Sequence, residues 1–480
     1  MRFYVLAHVG SDPALQPFYQ AHWFLMPDMG LDIVSTPLLH LMPPAIAGHV
    51  IAAIILAVLF SGVLYFNRAL TGRTSSLVAV LLLPLLYSYI LNWGFANFLL
   101  SLGFAFWGAG VWLETRARPL IAVPISCVFS VLIYLSHGVA FALYGILVAL
   151  LEVGFFINTP ARKFRDLARA LVLVAIQAAI PIVMFLAWQR SLSFDGTIVQ
   201  HAGITRQALL ENLTPRPGHT GYRRLSTILR VEEGPAYWFD IATFAIQFVG
   251  IGFLLWCRRI SVARPAWLLL GVATLLIAIT PSQMFGVHYI ADRLPLFVAL
   301  IGVSAISTRS GSWTLASNLV CAVLGLTAIL RIGAIATQWH GYAPTYREFQ
   351  AIAAQLPRGA VTKGVSVGAG YHETDVPRCE MYEPLLISER GAIVPLFDYT
   401  GEHPLVMAGR LKDASSTLRH HPTEFKERIQ DYSIYMTAAA SAGFDYLLVC
   451  NAHLLSDPVP SDWNPIARTP HFVLLRAKRI

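Results

Sequence analysis

Two carboxylates, Asp28 and Asp32, stand four residues apart in MPDMGLDIV, a spacing that would put both on one face of a helix. Such a pair can hold a divalent cation, magnesium or manganese, through oxygen ligands, or supply a general base. It can equally be the solvated face of a helix lying in a membrane interface. Basic groups gather at two further places. FGVHYIADRLP brings His288, Asp292 and Arg293 together, and LTAILRIGAIA sets Arg331 inside an apolar run. A planar guanidinium matches phosphate geometry, so two arginines with a histidine beside them are what a site for a lipid-linked phosphate needs. The plainer alternatives are an interfacial Asp292–Arg293 ion pair worth about 0–1 kcal/mol, and an Arg331 that snorkels to the outer interface. His137, in IYLSHGVAF, also ends an apolar run, where it is either interfacial or a further contact for the same anion.

Membrane helices must position these groups. The chain has 480 residues, 56% hydrophobic and only 13% charged, against roughly 25% charged in a soluble domain. Ten apolar stretches read as spanning helices, near 46–66, 75–93, 95–113, 119–136, 138–158, 168–188, 237–256, 266–281, 293–307 and 313–337. Alternate connectors are basic. Segments 67–73 and 115–118 carry two Arg each, 159–169 four Lys or Arg, and 257–264 three, which makes that side cytoplasmic. The net charge of +8 is accounted for by these connectors, and no nucleic-acid partner is expected.

The expected fold is therefore a polytopic α-helical membrane protein of about ten transmembrane helices with a small C-terminal α/β extracytoplasmic domain. Residues 1–45 form an outer segment with interfacial helices. Residues 46–337 form the transmembrane helical domain with an outer loop at 189–236, and 338–480 the extracytoplasmic domain. The outer loop is charged and solvated, with a short helix near 204–213. In the last domain helices are expected at 345–356 and 433–442, and strands at 361–367, 392–397, 444–450 and 471–477. It carries no GxGxxG or GxxxxGK[ST] loop and so no nucleotide signature. Of the five cysteines, Cys127, Cys257 and Cys321 lie in or beside apolar spans, and Cys379 and Cys450 can form a disulfide in the terminal domain. Glu152 is expected to snorkel or pair helices, and Asn92 and Asn97 to cap helix ends.

This layout, with DPALQPFYQAHWFLMPDMGLDI, NWGFANFLLSLGFAF, YLSHGVAFALYG, FGVHYIADRLP and LRIGAIATQWHGY followed by QLPRGA, resembles bacterial members of the GT-C superfamily. These are polytopic glycosyltransferases that use polyprenyl-phosphate-linked sugars. The resemblance implies inverting transfer of a sugar from a lipid-linked donor to a glycan, lipid or protein acceptor at the outer face of the bacterial inner membrane. By position Asp28 and Asp32 would serve as base or metal ligand, and His288, Arg293, Arg331 and His137 would hold the donor phosphate among membrane lipids. The family's usual acidic residue follows its first helix, whereas this chain starts at MRFYVLAHVG. Either an upstream helix is missing here, or that carboxylate is lost and the protein differently employed. The other function classes are a polytopic transporter or flippase, for which no symmetric halves are apparent, and a non-enzymatic envelope assembly protein.

Overall fold

In hydrocarbon every backbone N–H and C=O must bond within its own segment, so apolar runs have little choice but to be helical. The computed structural model describes residues 1–194, 227–234, 237–280, 283–284, 287–309, 314–367, 379–396, 403–419, 424–425, 428–429, 432–455 and 458–478. The short helix expected near 204–213 lies outside them. The chain divides into two compact units, one of residues 25–31 and 49–338, the other of 1–24, 32–48 and 339–480.

Among the described residues seven helices are long and apolar enough to cross a membrane: Pro44–Thr71, Ala96–Thr115, Pro119–Ser136, Gly138–Asn158, Phe164–Arg190, Trp238–Trp256 and Leu315–Ala353. The other three expected spans are helical but short. The first stops at Leu86 and resumes as Tyr89–Asn92, and the others are Ala266–Ile279, of 14 residues, and Ile290–Ser304, of 15. At 1.5 Å per residue a helix of that size reaches only about 20 Å, against a hydrocarbon core of about 30 Å. Close packing in this unit rests on small residues. A Cβ at Gly62 would overlap the Gly103 carbonyl, and one at Gly103 would lie 2.8 Å from the Leu59 nitrogen, so these two helices cross with their backbones touching.

Glu152 is buried, and it pairs rather than snorkels. Its carboxylate accepts from Trp112 Nε1 and Arg116 Nη1, both at 2.9 Å, and lies 3.0 Å from Arg162 Nη1. A buried carboxylate is tolerable only with partners of this kind.

In the second unit a four-stranded sheet has the order Trp463–Arg468, Phe472–Ala477, Tyr446–Cys450, Thr362–Ser366, with the last pair parallel and the others antiparallel. Tyr446–Cys450 is buried along its whole length, as a continuous apolar run at the centre of a sheet should be. The strand expected at 392–397 is reduced to one bridge, Ile393 to Val361, and the helix Gly409–Arg419 and strand Trp463–Arg468 were not legible in the pattern. Residues 1–24 are not a separate interfacial segment. Val5, Leu6, Leu15 and Tyr19 share the core of the sheet domain, Tyr19–Ala21 pairs antiparallel with Leu405–Met407, and the Tyr19 hydroxyl donates to the Val394 carbonyl at 2.5 Å.

Cys379 and Cys450 form a disulfide, which the sequence allowed without requiring, 71 residues apart in sequence. By loop-closure entropy such a link stabilises by about 4 kcal/mol. Cys450→Ser should therefore lower the stability of the sheet domain by about 2–5 kcal/mol, read as a lower urea midpoint for tryptophan fluorescence. An unchanged midpoint would mean that the link is inessential to the fold.

Candidate active site

Asp28 lies in the turn before the helix Gly30–Leu41, in a left-handed conformation (φ 69°) that a short polar side chain tolerates. Two bonds from Asn97 hold the turn. Asn97 Nδ2 donates to the Asp28 carbonyl at 2.7 Å, and the Leu31 N–H donates to Asn97 Oδ1 at 2.9 Å. Asn97 thus clamps the acidic turn and satisfies a first-turn N–H of the helix Gly30–Leu41. Gly30 packs against the end of the helix Pro119–Ser136, where a Cβ would meet Ser136 Oγ at 2.5 Å and its Cα at 2.8 Å. Only glycine fits there.

His137 joins the helices Pro119–Ser136 and Gly138–Asn158. Its Nδ1 accepts from the Val139 N–H at 3.1 Å, so in the neutral ring the proton sits on Nε2. That nitrogen lies 3.6 Å from Asp28 Oδ1. Arg293, in the first turn of Ile290–Ser304, brings Nη1 against His137 Nε2 and lays its guanidinium over Phe95 and Phe98, 4.2 and 5.5 Å from the ring centroids. Cation–π contact of this kind compensates part of the cost of burial. Because Nε2–H and the guanidinium both donate, neither satisfies the other, and both are suited to an anion. Arg293 Nε is also buried with no acceptor among the described residues. Asp28 is the accessible member, its side chain 31% exposed against 5% for His137. Trp93 and Phe95 extend the cluster through Tyr289, at ring distances of 5.1 and 6.1 Å.

Three expected site residues fall elsewhere or out of view. Asp32 does not share a helical face with Asp28, because the helix begins only at Gly30. Both its oxygens are held by Arg2, at 2.8 and 2.9 Å, and Arg2 Nη1 also contacts His403 Nδ1 at 2.6 Å. Burial pushes the Asp32 carboxyl up to about 6, with Arg2 opposing, and burial with Arg2 pushes His403 down to about 3. Arg2 thus already occupies one acceptor site on each Asp32 oxygen, and no group of three metal-ligating side chains occurs among the described residues.

Arg331 does not snorkel; it is buried and bonded to groups of the protein itself. It is 1% exposed, and its nitrogens donate to Asp240 Oδ1, the Pro84 carbonyl and the Tyr87 carbonyl, each at 2.9 Å, and to the Glu232 carbonyl. Two of these are carbonyls at the end of the helix Ser76–Leu86, the groups a helix leaves without internal partners. Four of the five guanidinium N–H donors are thus spent within the protein. His288 belongs to the two-residue strand Val287–His288, paired with Gln283–Met284, and its side chain lies outside the described residues.

Of the expected residues the structure therefore brings together Asp28, His137 and Arg293. Sequence reasoning missed Asn97 as the clamp, Phe95 and Phe98 as the platform, and Asp240 as the partner of Arg331. For Asn97 the signal was a polar residue in NWGFANFLL, but amide bonding to a distant turn has no sequence signature. The chain matches no protein-family model and no curated protein.

Proposed function

We propose that the chain is a membrane glycosyltransferase that moves a sugar from a lipid-linked phosphate donor to an acceptor at the outer face of a bacterial inner membrane, as its resemblance to the GT-C superfamily implies. The observation that carries the proposal is one half-buried carboxylate, Asp28, set beside two buried groups, His137 and Arg293, at an aromatic helix-end cluster. In this reading the three short helices complete ten crossings, the arginine-rich connectors face the cytoplasm, and the disulfide-linked sheet domain faces the oxidising side.

In the transfer Asp28 takes the proton from the acceptor hydroxyl as its oxygen bonds the anomeric carbon, while the bond from that carbon to the phosphate oxygen breaks. The electron pair stays on the lipid phosphate, whose growing charge Arg293 and His137 Nε2–H stabilise. The aromatic rings suit a sugar face and the start of a prenyl chain. The sheet domain would recognise the glycan, lipid or protein acceptor.

Transfer from a radiolabelled polyprenyl-phosphate sugar in membranes tests the assignment of Arg293. Arg293→Ala should slow transfer by about 10²- to 10³-fold, and Arg293→Lys, which keeps the charge but loses the fork, should recover part of it. Transfer by Arg293→Ala at the wild-type rate would remove the donor site from this cluster.

A further inference from the structure

The connectors 67–76, 257–264 and 304–314 carry Arg68, Arg73, Arg258, Arg259, Arg264 and Arg309 and not one Asp or Glu. Among them the helix Ser76–Leu86 begins at Ser75, whose backbone has the extended geometry of an N-cap (φ −115°, ψ 125°). A serine there ordinarily accepts a bond from the second or third helical N–H. Ser75 does not. Ser75 is only 7% exposed and lines a cavity of about 390 Å³, and its hydroxyl has no partner among the described residues. The Val78 and Ala79 N–H groups both turn to the Ser75 carbonyl, which leaves those of Ser76 and Leu77, also in the lining, as the unpaired donors of a helix start.

The rest of the wall agrees in chemistry. Thr74, Thr308 and Asn318 add hydroxyl and amide groups to the lining. Thr308 ends the strand Ile306–Thr308, and the next residue, Arg309, donates its N–H to the Arg259 carbonyl at 3.0 Å, which sets two arginines side by side along the chain from the wall. Among the described residues no carboxylate lines the cavity.

We propose that this cavity binds a phosphate group, carried by an anionic phospholipid headgroup or by a soluble phosphate. The hydroxyl of Ser75 and the Ser76 and Leu77 N–H groups meet its oxygens, and the basic, carboxylate-free connectors raise its local concentration. The site is separate from the Asp28 cluster and does not depend on the reading of that cluster as a transferase.

Cys321 lines the same cavity and is half-buried, whereas Cys257 is exposed and not in the lining. The full chain can thus report on itself. N-ethylmaleimide labelling of both thiols is followed by peptide mass spectrometry in nanodiscs of phosphatidylglycerol or phosphatidylcholine, and in detergent with or without inorganic phosphate. The expected result is at least fivefold slower labelling of Cys321 with phosphatidylglycerol than with phosphatidylcholine, with Cys257 unchanged. Protection by inorganic phosphate in detergent assigns a soluble ligand, and protection by phosphatidylglycerol alone assigns a lipid headgroup. Ser75→Ala, which removes no capping bond, should abolish most of the protection. Equal Cys321 labelling under all conditions overturns the proposal, as does full protection in Ser75→Ala. The wild-type comparison decides even if the variant does not fold.

Discussion

Asp28→Asn should reduce sugar transfer by about 10³-fold while leaving the protein folded, since removal of a positioned general base costs roughly 10² to 10⁴. The amide keeps the size of the side chain and can still turn toward His137, but it cannot accept the acceptor proton. The turn itself should survive, because Asn97 holds it through the Asp28 carbonyl and the Leu31 N–H rather than through the carboxylate, and asparagine tolerates a positive φ as well as aspartate does. The comparison variant is Asp32→Asn. Asp32 is buried against Arg2, so that change should lower the yield of folded protein but not the rate per folded molecule. Initial rates normalised to the monodisperse fraction separate the two. Equal loss of rate in both variants would return the carboxylate pair to a shared role, and wild-type transfer by Asp28→Asn would end the assignment of the base.

Arg331→Ala should destabilise the membrane unit by about 3–5 kcal/mol, the usual result of removing one member of a buried ion pair. The change strands Asp240, itself 2% exposed, and leaves the Pro84, Tyr87 and Glu232 carbonyls without their donor. Asp240 keeps the bond from the Gly234 N–H at 2.8 Å, and Arg331→Ala combined with Asp240→Asn should recover part of the loss. The measurement is the thermal midpoint of the purified protein. A midpoint within error of wild type, together with lost transfer, would instead make Arg331 a contact of the donor. Glu232 adds a pH dependence to the same network. Burial pushes its carboxyl up from 4.5 to about 7, with the Arg331 charge opposing. A raised value means that the folded state binds the proton more tightly. This stabilisation is therefore complete below about pH 4.5 and is lost as pH rises through about 7. Glu232→Gln should flatten that part of the stability profile.

The membrane helices were legible because their cause is local: a run of apolar residues leaves its backbone no partner but itself, and Pro44–Thr71, Gly138–Asn158 and Phe164–Arg190 follow from that alone. The break at Tyr87 and Ser88 was not, since it depends on an arginine from a helix more than 240 residues away collecting the freed carbonyls. The Cys379–Cys450 link and the central strand beside it were open to inspection, the first as the two cysteines outside the apolar spans, the second as a dense apolar run. Asp28, His137 and Arg293 were singled out by residue type at apolar boundaries. Asp32 and Arg331 were singled out by the same rule, and it misplaced them.

That difference marks the division between the two sources. Residue order determined which segments are helical, which connectors are basic, and which side chains are costly enough to need a partner. Only the tertiary structure decided who the partner is: Arg2 for Asp32, Asp240 for Arg331, Asn97 for the turn at Asp28. A buried charge or amide states its demand locally, but what answers it is whichever donor or acceptor the packing brings within about 3 Å, and those groups come from 30 to 91 residues away.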